Sequence, residues 1–395
     1  MGESESARLI RFFPSRGIRL VGARGQYVWD SEGRRYLDYH TGNGAAFLGH
    51  NNPVIVQMIS EQVSRMMTCP PIFDSQILDD CLAVLGKILP RTLRNVYFMN
   101  SGSEAVELAL KLSRKRTGRR KFASFTGGFH GRTMGALGMT HNPKYRAGYD
   151  PFPWEHTFLP FNDVSGLEKI DESFAAVIVE PVQGEGGLSV SSEEFMRTLV
   201  ERCRRVGAML IIDEVQSGFG RTGSVWAHLD YGVSPDILVA GKSIGGGFPV
   251  SFVAITDEIA SKVEEAEHGS THGGNPLALA AVTGGVKVLI SDAVPSKAGE
   301  KGKLLLDGLS EIVKTYPSVV RGIKGKGLML GLDIRFNPAE IIRLLQSRGL
   351  LALKAGSTVL RFLPPYLITD EDIEWSIRVI GEAMELYQES LKKKG

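Results

Sequence analysis

Cysteine is scarce in this chain of 395 residues, and the three cysteines, Cys69, Cys81 and Cys203, lie far apart. Their odd number and the lack of a Cys-x-x-Cys pair indicate neither a disulfide framework nor a zinc site. We therefore expect a protein of a reducing compartment, the cytoplasm, that binds no metal.

Long apolar runs and an excess of one charge are missing as well. No eighteen consecutive residues are apolar, and the amino-terminal MGESESARLIRFF has no long apolar region or cleavage signal. The 46 Lys and Arg residues against 44 Asp and Glu residues leave a net charge of +2, too small to indicate nucleic-acid binding. The composition predicts a soluble, untargeted protein with no membrane or nucleic-acid partner.

Short apolar runs alternate with amphipathic helical patterns through the middle of the chain. The runs suit strands of a parallel sheet that is covered on both faces, and they occupy residues 122–125, 175–179, 209–212 and 237–240. The helical pattern SSEEFMRTLVERCRRVG separates two of these runs. The alternation predicts a right-handed parallel α/β layer, followed from about residue 286 by a smaller α+β lobe.

One lysine follows such a strand directly. In the stretch PDILVAGKSIGGGFP, residues 235–249, Lys242 comes just after the apolar run and is followed by three glycines. Ligands of open α/β sheets bind at the carboxyl edge, where glycines let the backbone approach them. Because lysines are mostly exposed, Lys242 is a candidate nucleophile only in combination with other motifs.

The sequence SGSEAVELALKLSRK after the short run at residues 96–98 predicts the start of a helix. Ser101 and Glu104 have capping-box spacing, so the helix should begin near Gly102 and leave its first amides, including that of Ser103, without acceptors. Such amides and the helix dipole favour an anion such as phosphate, although a simple cap has the same pattern. The lysine and spacing of a Walker A loop are absent, which argues against a nucleoside triphosphate.

Four further residues could contribute to a site at this edge. Phe129 in GGFHGRTMG offers a ring face and Arg132 a fork for a carboxylate, and packing or a surface ion pair are the ordinary alternatives. Asp213 ends a strand beside Glu214, an arrangement that could also bind a metal. Arg361, between two apolar neighbours, would need a carboxylate partner if it is buried.

Together these elements describe a site for pyridoxal 5'-phosphate, which needs a lysine for a Schiff base and a carboxylate beside its pyridine nitrogen. At about 4 Å and an effective dielectric of about 20, that ion pair is worth roughly 4 kcal/mol, or about three pKa units. Asp213 could therefore keep the ring nitrogen protonated, and Lys242 could act as general base and acid.

Seven motifs carry a resemblance to a known family: SGSEAVELALK, FHGRT, EPVQGEGG, IIDEVQSGFGRTG, GKSIGGGFP, STHGGNPLA and LRFLPPYLIT. In order and spacing the chain resembles the class III pyridoxal-phosphate aminotransferases of the acetylornithine and ornithine type. The resemblance implies a homodimer of the aspartate aminotransferase-like fold type I, with active sites at the subunit interface. It implies a large cofactor-binding domain with a mainly parallel seven-stranded sheet, residues 51–285, and a small α+β domain formed by residues 1–50 and 286–395.

Within this class, TGNGAAFLGH and LKAGSTVLRFLPPYLIT resemble archaeal enzymes of lysine and arginine biosynthesis that act on substrates attached to LysW, an acidic amino-group carrier protein. Asn43 stands where the ornithine enzymes have a tyrosine that contacts the far carboxylate of the substrate, which weakens a free-ornithine reading. An aminotransferase for free acetylornithine or 4-aminobutyrate is the alternative, and a semialdehyde mutase or racemase would share the fold. The basic run RKRTGRRK, residues 114–121, is either a solvated helix end, a contact for an acidic partner or, least in keeping with the rest, a nucleic-acid site.

The resemblance also implies which residues contact the cofactor: Gly102, Ser103, Phe129, Asp213, Glu214, Val215, Gln216, Lys242 and Thr271. Lys242 would form the Schiff base, Asp213 would pair with the pyridine nitrogen, and Gln216 would approach the ring hydroxyl. Val215 and Phe129 would sandwich the ring, Gly102 and Ser103 would hold the phosphate, and Thr271 would reach the phosphate from the other subunit.

The substrate residues that the resemblance implies are Arg132, Glu185, Ser270 and Arg361. Arg361 would clamp the α-carboxylate of glutamate, and Glu185 would cover it when an amine substrate enters. Glutamate would give its amino group and leave as 2-oxoglutarate, after which a semialdehyde is aminated. His272 stands where relatives often carry tyrosine or phenylalanine, so no stacking role is assigned to it.

Overall fold

The structure is a computed structural model that describes residues 7–394. Its strands are β1 Leu20–Arg24, β2 Tyr27–Asp30, β3 Arg35–Asp38, β4 Asn95–Met99, β5 Lys121–Phe125, β6 Glu155–Leu159, β7 Phe174–Val179, β8 Met209–Glu214, β9 Ile237–Ala240, β10 Ser251–Ile255, β11 Val320–Lys326, β12 Met329–Ile334, β13 Leu350–Leu351, β14 Leu353–Ala355 and β15 Val359–Phe362.

The helices are α1 Thr41–Gly44, α2 Pro53–Val63, α3 Gln76–Leu85, α4 Gly102–Thr117, α5 Met134–Met139, α6 Pro143–Arg146, α7 Glu193–Val206, α8 Asp257–Ala260, α9 Pro276–Ser291, α10 Val294–Thr315, α11 Ala339–Ser347 and α12 Asp370–Lys394. Short 3₁₀ segments cover Ser165–Lys169, Ala227–Tyr231 and Lys242–Gly245. The element α1 is a turn whose residues Thr41, Gly42, Asn43 and Gly44 all have positive φ, so it is left-handed.

A seven-stranded sheet forms the centre of the fold, in the order β4-β10-β9-β8-β7-β5-β6. Strands β9, β8, β7, β5 and β6 pair in parallel, whereas β10 is antiparallel to both of its neighbours. Every residue of β7, β9 and β10 is buried, as continuous apolar runs require when helices cover both faces. The predicted mainly parallel α/β sheet is confirmed.

Helix α4 begins where the capping signal predicts. Ser101 is its N-cap, and the Ser101 hydroxyl accepts a hydrogen bond from the backbone N–H of Glu104. The helix ends at Gly118, which has φ of 71° and therefore takes the left-handed cap conformation that glycine tolerates best. The cap fixes the amino end of α4 at the carboxyl edge of the sheet, directly after β4.

The two ends of the chain meet in smaller sheets. β11, β12, β15 and β14 form an antiparallel sheet, and β13 pairs in parallel with β3 of the amino-terminal hairpin. Leu37 and Tyr39 pack in one hydrophobic core with the carboxyl-terminal residues. Helix α9 runs across the expected domain boundary at residue 285, and Val286 and Leu289 on its far side pack into the core of the large sheet.

No single helix within residues 7–394 is long and apolar enough to cross a bilayer; α9 and α10 meet that criterion only as a pair, bent by 66°.

Candidate active site

A cavity of about 170 Å³ lies at the carboxyl edge of the seven-stranded sheet. Its lining residues come from the ends of β4, β5, β7, β8 and β9 and the turns after them: Ser101, Gly102, Ser103, Phe129, His130, Gly131, Glu180, Glu185, Asp213, Val215, Gln216 and Lys242. Parallel strands bring their carboxyl ends together, so residues distant in the sequence meet at one edge. Eight of the predicted site residues share this one cavity.

Lys242 lies in the cavity with a strained backbone. Its φ is 47°, a left-handed conformation that is costly for a residue with a side chain and is typical of functional sites. Burial lowers the pKa of its amine, while the negative charge of Glu185 opposes that effect. Within the described residues the amine forms no hydrogen bond or ion pair, so it is available to a ligand.

Asp213 is paired with a histidine that the sequence analysis left without a role. The Nδ1 atom of His130 lies 2.8 Å from Oδ2 of Asp213, and both side chains are buried. The other carboxylate oxygen of Asp213 accepts from the backbone N–H of Val215. These contacts hold the carboxylate in one orientation at the end of β8. The sequence shows a histidine in GGFHGRTMG, but 83 positions separate the pair, and no spacing rule connects them.

The amino end of α4 forms an anion cradle beside this pair. The first-turn amides of Gly102 and Ser103 have no intrahelical acceptor, as at every helix start. A Cβ atom at Gly102 would lie 3.0 Å from the side chain of Val215, so glycine lets the helix approach the cavity closely. The hydroxyl of Ser103 accepts from the backbone N–H of Arg132. The geometry suits a small anion such as phosphate.

Arg361 is buried and has the carboxylate partner that the sequence predicted. Its Nη1 atom donates to Oε1 of Glu185 at 2.7 Å, to the carbonyl of Gly184 at 2.7 Å and to Oε1 of Gln216 at 3.1 Å. Burial raises the pKa of Glu185, but the charges of Arg361 and Lys242 outweigh it and leave that pKa below its ordinary value. The pair is therefore ionised at neutral pH.

Two buried nitrogen atoms beside this pair lack partners in the described part of the chain. They are Nε2 of Gln216 and Nε of Arg361. Buried polar groups are nearly always hydrogen-bonded, so two such donors next to one cavity indicate that a bound ligand supplies the acceptors.

Comparison with known sequences identifies the family. The profile described as Aminotransferase class-III matches residues 15–384. This chain belongs to the class-III aminotransferases. It is therefore a transaminase, and the resemblance drawn from its motifs is confirmed.

Similar proteins place this aminotransferase among particular relatives. It is 49% identical over 381 residues to the [LysW]-aminoadipate semialdehyde/glutamate semialdehyde transaminase of Sulfolobus acidocaldarius, which covers 95% of this chain and 97% of the relative. It is 41% identical over 370 residues to the acetylornithine aminotransferase of Methanopyrus kandleri, covering 93% and 94% of the two chains. The ornithine aminotransferase of Toxoplasma gondii, solved with partial occupancy of PLP at its active site, has a TM-score of 0.92 and 28% identity, over 97% of this chain and 93% of that one. The fold of this class-III aminotransferase is thus the predicted fold type I.

Glu214 is a correction to the expected cofactor-binding residues of the aminotransferase. Successive side chains of a strand point to opposite faces, so Glu214 points away from the cavity that Asp213 faces. Its carboxylate accepts from the backbone amides of Ala227 at 2.7 Å and His228 at 2.8 Å, and it pairs with Nδ1 of His228. Glu214 therefore anchors the segment after Trp226 and is absent from the cavity lining.

Arg361 adjoins the cavity through Glu185 and Gln216 without lining it, and three further expected residues do not line it within one chain either. Thr271 is exposed, and the hydroxyl of Ser270 bonds Asn100 at 3.4 Å and the backbone N–H of Gly273 at 3.0 Å. Arg132 is exposed and its guanidinium lies 3.5 Å from the centre of the Tyr145 ring.

Several cations of the basic run at residues 114–121 form contacts within the chain. Lys115 pairs with Glu264 and Glu267 at 2.9 Å, and Arg116 pairs with Glu258. A second cavity of about 470 Å³ adjoins these ion pairs and does not include any predicted site residue.

The remaining cations of the run have mixed surroundings. Arg119 donates to the carbonyls of Phe174, Val206 and Gly207, whereas Arg120 is exposed and has no partner among the described residues. Two of the six cations in the run are therefore compensated by carboxylates, and a third is held by backbone carbonyls.

Residues 7–392 contain no group of three or more His, Cys, Asp or Glu side chains that could hold a metal ion.

Proposed function

We propose that this aminotransferase holds pyridoxal 5'-phosphate in the cavity at the carboxyl edge of the sheet. The single observation that carries the proposal is the buried, unpaired amine of Lys242 facing the Asp213 carboxylate and the anion cradle of α4 across one cavity. The unpartnered Nε2 of Gln216 fits the ring hydroxyl of such a cofactor. When bound, the cofactor supplies an aldehyde for the amino group and a ring that accepts the electron pair of the broken C–H bond.

The residues that line the cavity have separate roles in the proposed reaction. Burial lowers the pKa of Lys242, so its amine releases a proton more readily than an ordinary lysine does. The buried amine can therefore take the proton from the substrate carbon and give it back later. Asp213, whose carboxylate is held in place by His130, would pair with the pyridine nitrogen of such a cofactor. Val215 and Phe129 line the cavity and are suited to cover the two faces of a flat ring.

Glutamate and 2-oxoglutarate are the proposed donor and product. Arg361 presents a buried guanidinium whose Nε has no partner in the described chain, which fits the two-point binding of an α-carboxylate. Glu185 occupies that guanidinium in the present arrangement and must turn away for a carboxylate to bind. The ion pair thereby lets one cavity accept both a donor whose carboxylate binds Arg361 and an amine substrate that places no carboxylate there.

For the second substrate we propose the terminal amine of lysine or ornithine carried on LysW, in lysine and arginine biosynthesis in the cytoplasm. The relative of 49% identity carries a [LysW]-specific name, whereas the acetylornithine name belongs to a relative of 41% identity. Asn43 supports the same reading, because it is exposed on the left-handed turn α1 and offers no charge for a free substrate carboxylate.

A homodimer completes the proposal. Helix α2 and the segment after it expose a series of apolar side chains: Val54, Val56, Val63, Met66, Met67, Ile72 and Phe73. Large apolar patches on a soluble surface mark protein contacts, and a second copy of the chain would also bring Thr271 to the neighbouring site.

The test of the substrate is a single-turnover spectrum of the purified holoenzyme. Mixed with carrier-bound lysine or ornithine, the protein should lose the visible band of its cofactor at least about tenfold faster than with free acetylornithine. The reason is that only the two carrier-bound substrates gain binding energy from contacts of the carrier with the enzyme. Equal or faster bleaching by acetylornithine would leave an acetylornithine aminotransferase as the function. A turnover that persists without 2-oxoglutarate would instead indicate a mutase.

Charge reversal at the basic run tests its role in carrier docking. Because most of its cations have internal partners, we expect Arg120→Glu to change carrier-bound turnover by less than about twofold at low salt. Arg205→Glu, at the end of α7, is a matched basic control. A salt-dependent loss confined to Arg120→Glu would contradict this expectation and restore the run as a docking surface.

A further inference from the structure

Glu180 is a buried carboxylate of the cavity to which neither the sequence analysis nor the proposed chemistry gives a role. It follows β7 directly, and only 7% of its surface is exposed. No lysine, arginine or histidine forms an ion pair with it in the described residues. A buried carboxylate without an ionic partner is costly, so its retention at this position calls for a specific function.

Both oxygens of Glu180 accept hydrogen bonds from the backbone, and the two donors belong to different loops. Oε1 accepts from the N–H of Phe129 at 2.9 Å, in the loop after β5. Oε2 accepts from the N–H of Gly184 at 3.0 Å, in the loop after β7. One side chain therefore joins the loop that carries the ring-facing aromatic to the loop that carries Glu185.

The two loops also touch behind this carboxylate. A Cβ atom at Gly186 would lie 2.1 Å from the carbonyl oxygen of Gly127, so the backbones are in direct contact and glycine is required there. The side-chain amide of Gln183 donates to the carbonyl of Thr126 at 2.8 Å. The loops are thus packed as one unit, with Glu180 as their link on the cavity side.

The second loop reaches the substrate guanidinium. The carbonyl of Gly184, whose own N–H is held by Glu180, accepts from Nη1 of Arg361 at 2.7 Å. Next to it, the carboxylate of Glu185 accepts from the same nitrogen. When Glu185 turns away from Arg361, the backbone of its loop needs an independent anchor, and Glu180 supplies one.

We propose that Glu180 is a positioning residue that clamps the Phe129 loop to the Glu185 loop, so that the Glu185–Arg361 pair can open without displacing the aromatic wall of the cavity. Glutamate is suited to this task because a carboxylate offers two acceptors to two N–H donors, whereas glutamine would set its own NH₂ group against one of them. The clamp concerns the two loops alone and does not depend on which amine the enzyme uses.

The clamp uses the ionised form of Glu180, which offers an acceptor to each N–H donor. Burial raises the pKa of Glu180 to about 7, with the charge of Asp213 acting in the same direction, whereas the charge of His130 and the two backbone N–H donors lower it. Lys242, on the turn after β9, also faces the carboxylate. Glu180 thus lies among the charged groups of three neighbouring strand ends.

Hydrogen exchange of the purified apoprotein tests the clamp without reference to activity. In Glu180→Gln, we expect the segment whose N–H faces the new NH₂ group, within residues 126–132 or residues 182–188, to exchange about tenfold faster, because its backbone hydrogen bond is lost. Glu214→Gln is the matched control, because Glu214 is an equally buried carboxylate that accepts two backbone amides at the next strand end. It should loosen only the segment near residues 226–229.

A second variant separates the clamp from a general need for a buried acid. Glu180→Asp keeps the carboxylate but is one methylene shorter, so it cannot span both loops, and it should speed exchange in both segments. Wild-type exchange of either segment in Glu180→Asp, or wild-type exchange of both segments in Glu180→Gln, would overturn the proposal. The aspartate variant also serves if the glutamine variant does not fold.

Kinetics of the holoenzyme supply a readout that a merely structural residue would not move. Glu180→Gln should weaken cofactor affinity and raise KM for glutamate several-fold each, with a smaller change in kcat, while Glu214→Gln changes neither constant. The KM readout rests on the proposed donor, whereas the exchange readout does not. A failure of the donor assignment would therefore leave the exchange result intact, and unchanged exchange would refute the clamp alone.

Discussion

Replacement of Lys242 by alanine is expected to abolish the visible absorption of the bound cofactor and to lower transamination by roughly 10⁴-fold or more. Among the described residues, the amine is the only lysine nitrogen in the cavity lining, and no other residue there can both hold the cofactor covalently and move the proton. The measurements are the absorption spectrum after reconstitution and the rate with saturating glutamate. Lys144→Ala, which removes an exposed lysine, should leave both at wild-type values.

The same substitution should not destabilise the protein. The pKa of buried Lys242 lies below its ordinary value, so the protonated amine costs the folded state free energy. This cost is fully present at pH values below the lowered pKa, and it disappears as the pH rises toward the unfolded value of 10.5. Alanine removes the cost and leaves the positive φ as strained as before. At pH 7 we expect an equal or higher melting temperature for Lys242→Ala, measured without cofactor.

For the spectral prediction above, an unchanged absorption spectrum of Lys242→Ala would refute the assignment of this lysine as the cofactor-binding residue.

Replacement of Arg361 by alanine should damage both stability and donor use. It leaves the carboxylate of Glu185, the carbonyl of Gly184 and the amide of Gln216 without their shared donor in a buried place. Removing one partner of a buried pair typically lowers the free energy of unfolding by about 3–5 kcal/mol. Losing the clamp for the α-carboxylate should lower kcat/KM for glutamate by roughly 10²- to 10³-fold. Urea unfolding and steady-state kinetics check the two effects.

Glu185→Gln separates the two consequences. The guanidinium keeps two neutral acceptors in this variant but loses its carboxylate, and the Arg361 side chain is only 1% exposed, so we expect a loss of stability similar to that of Arg361→Ala. Arg361 then has no competing carboxylate, so KM for glutamate should fall or stay constant. If Arg361→Ala unfolds easily and yet keeps wild-type KM for glutamate, the arginine is structural and the clamp lies elsewhere.

Much of this site could be predicted from single strand ends. Lys242, Asp213 and Glu185 each follow or end an apolar run, and the carboxyl ends of parallel strands meet by necessity. Ser101 and Glu104 marked the start of α4 because capping depends on neighbouring residues only. Buried Arg361 required a carboxylate partner, since an unpaired buried charge is too costly, and Glu185 lies there. These predictions needed periodicity, local capping and charge balance, all of which are properties of the chain itself.

Other features depended on which distant segments lie side by side. The His130–Asp213 pair and the clamp of Glu180 on Phe129 and Gly184 join residues from separate turns, and no local pattern encodes them. The side chain of Glu214 points to the opposite face of the sheet from that of Asp213. This follows from the alternation of side chains along a strand, although the two residues are adjacent in the sequence.

The sequence by itself determined the fold class and the family of this protein, because these rest on periodicity and on motifs read along the chain. The tertiary structure alone decided which polar groups pair, and thus that Lys115 and Arg116 of the basic run are compensated by distant carboxylates. Pairing is a matter of distance in space, and hydrogen bonds and ion pairs act only within a few ångströms.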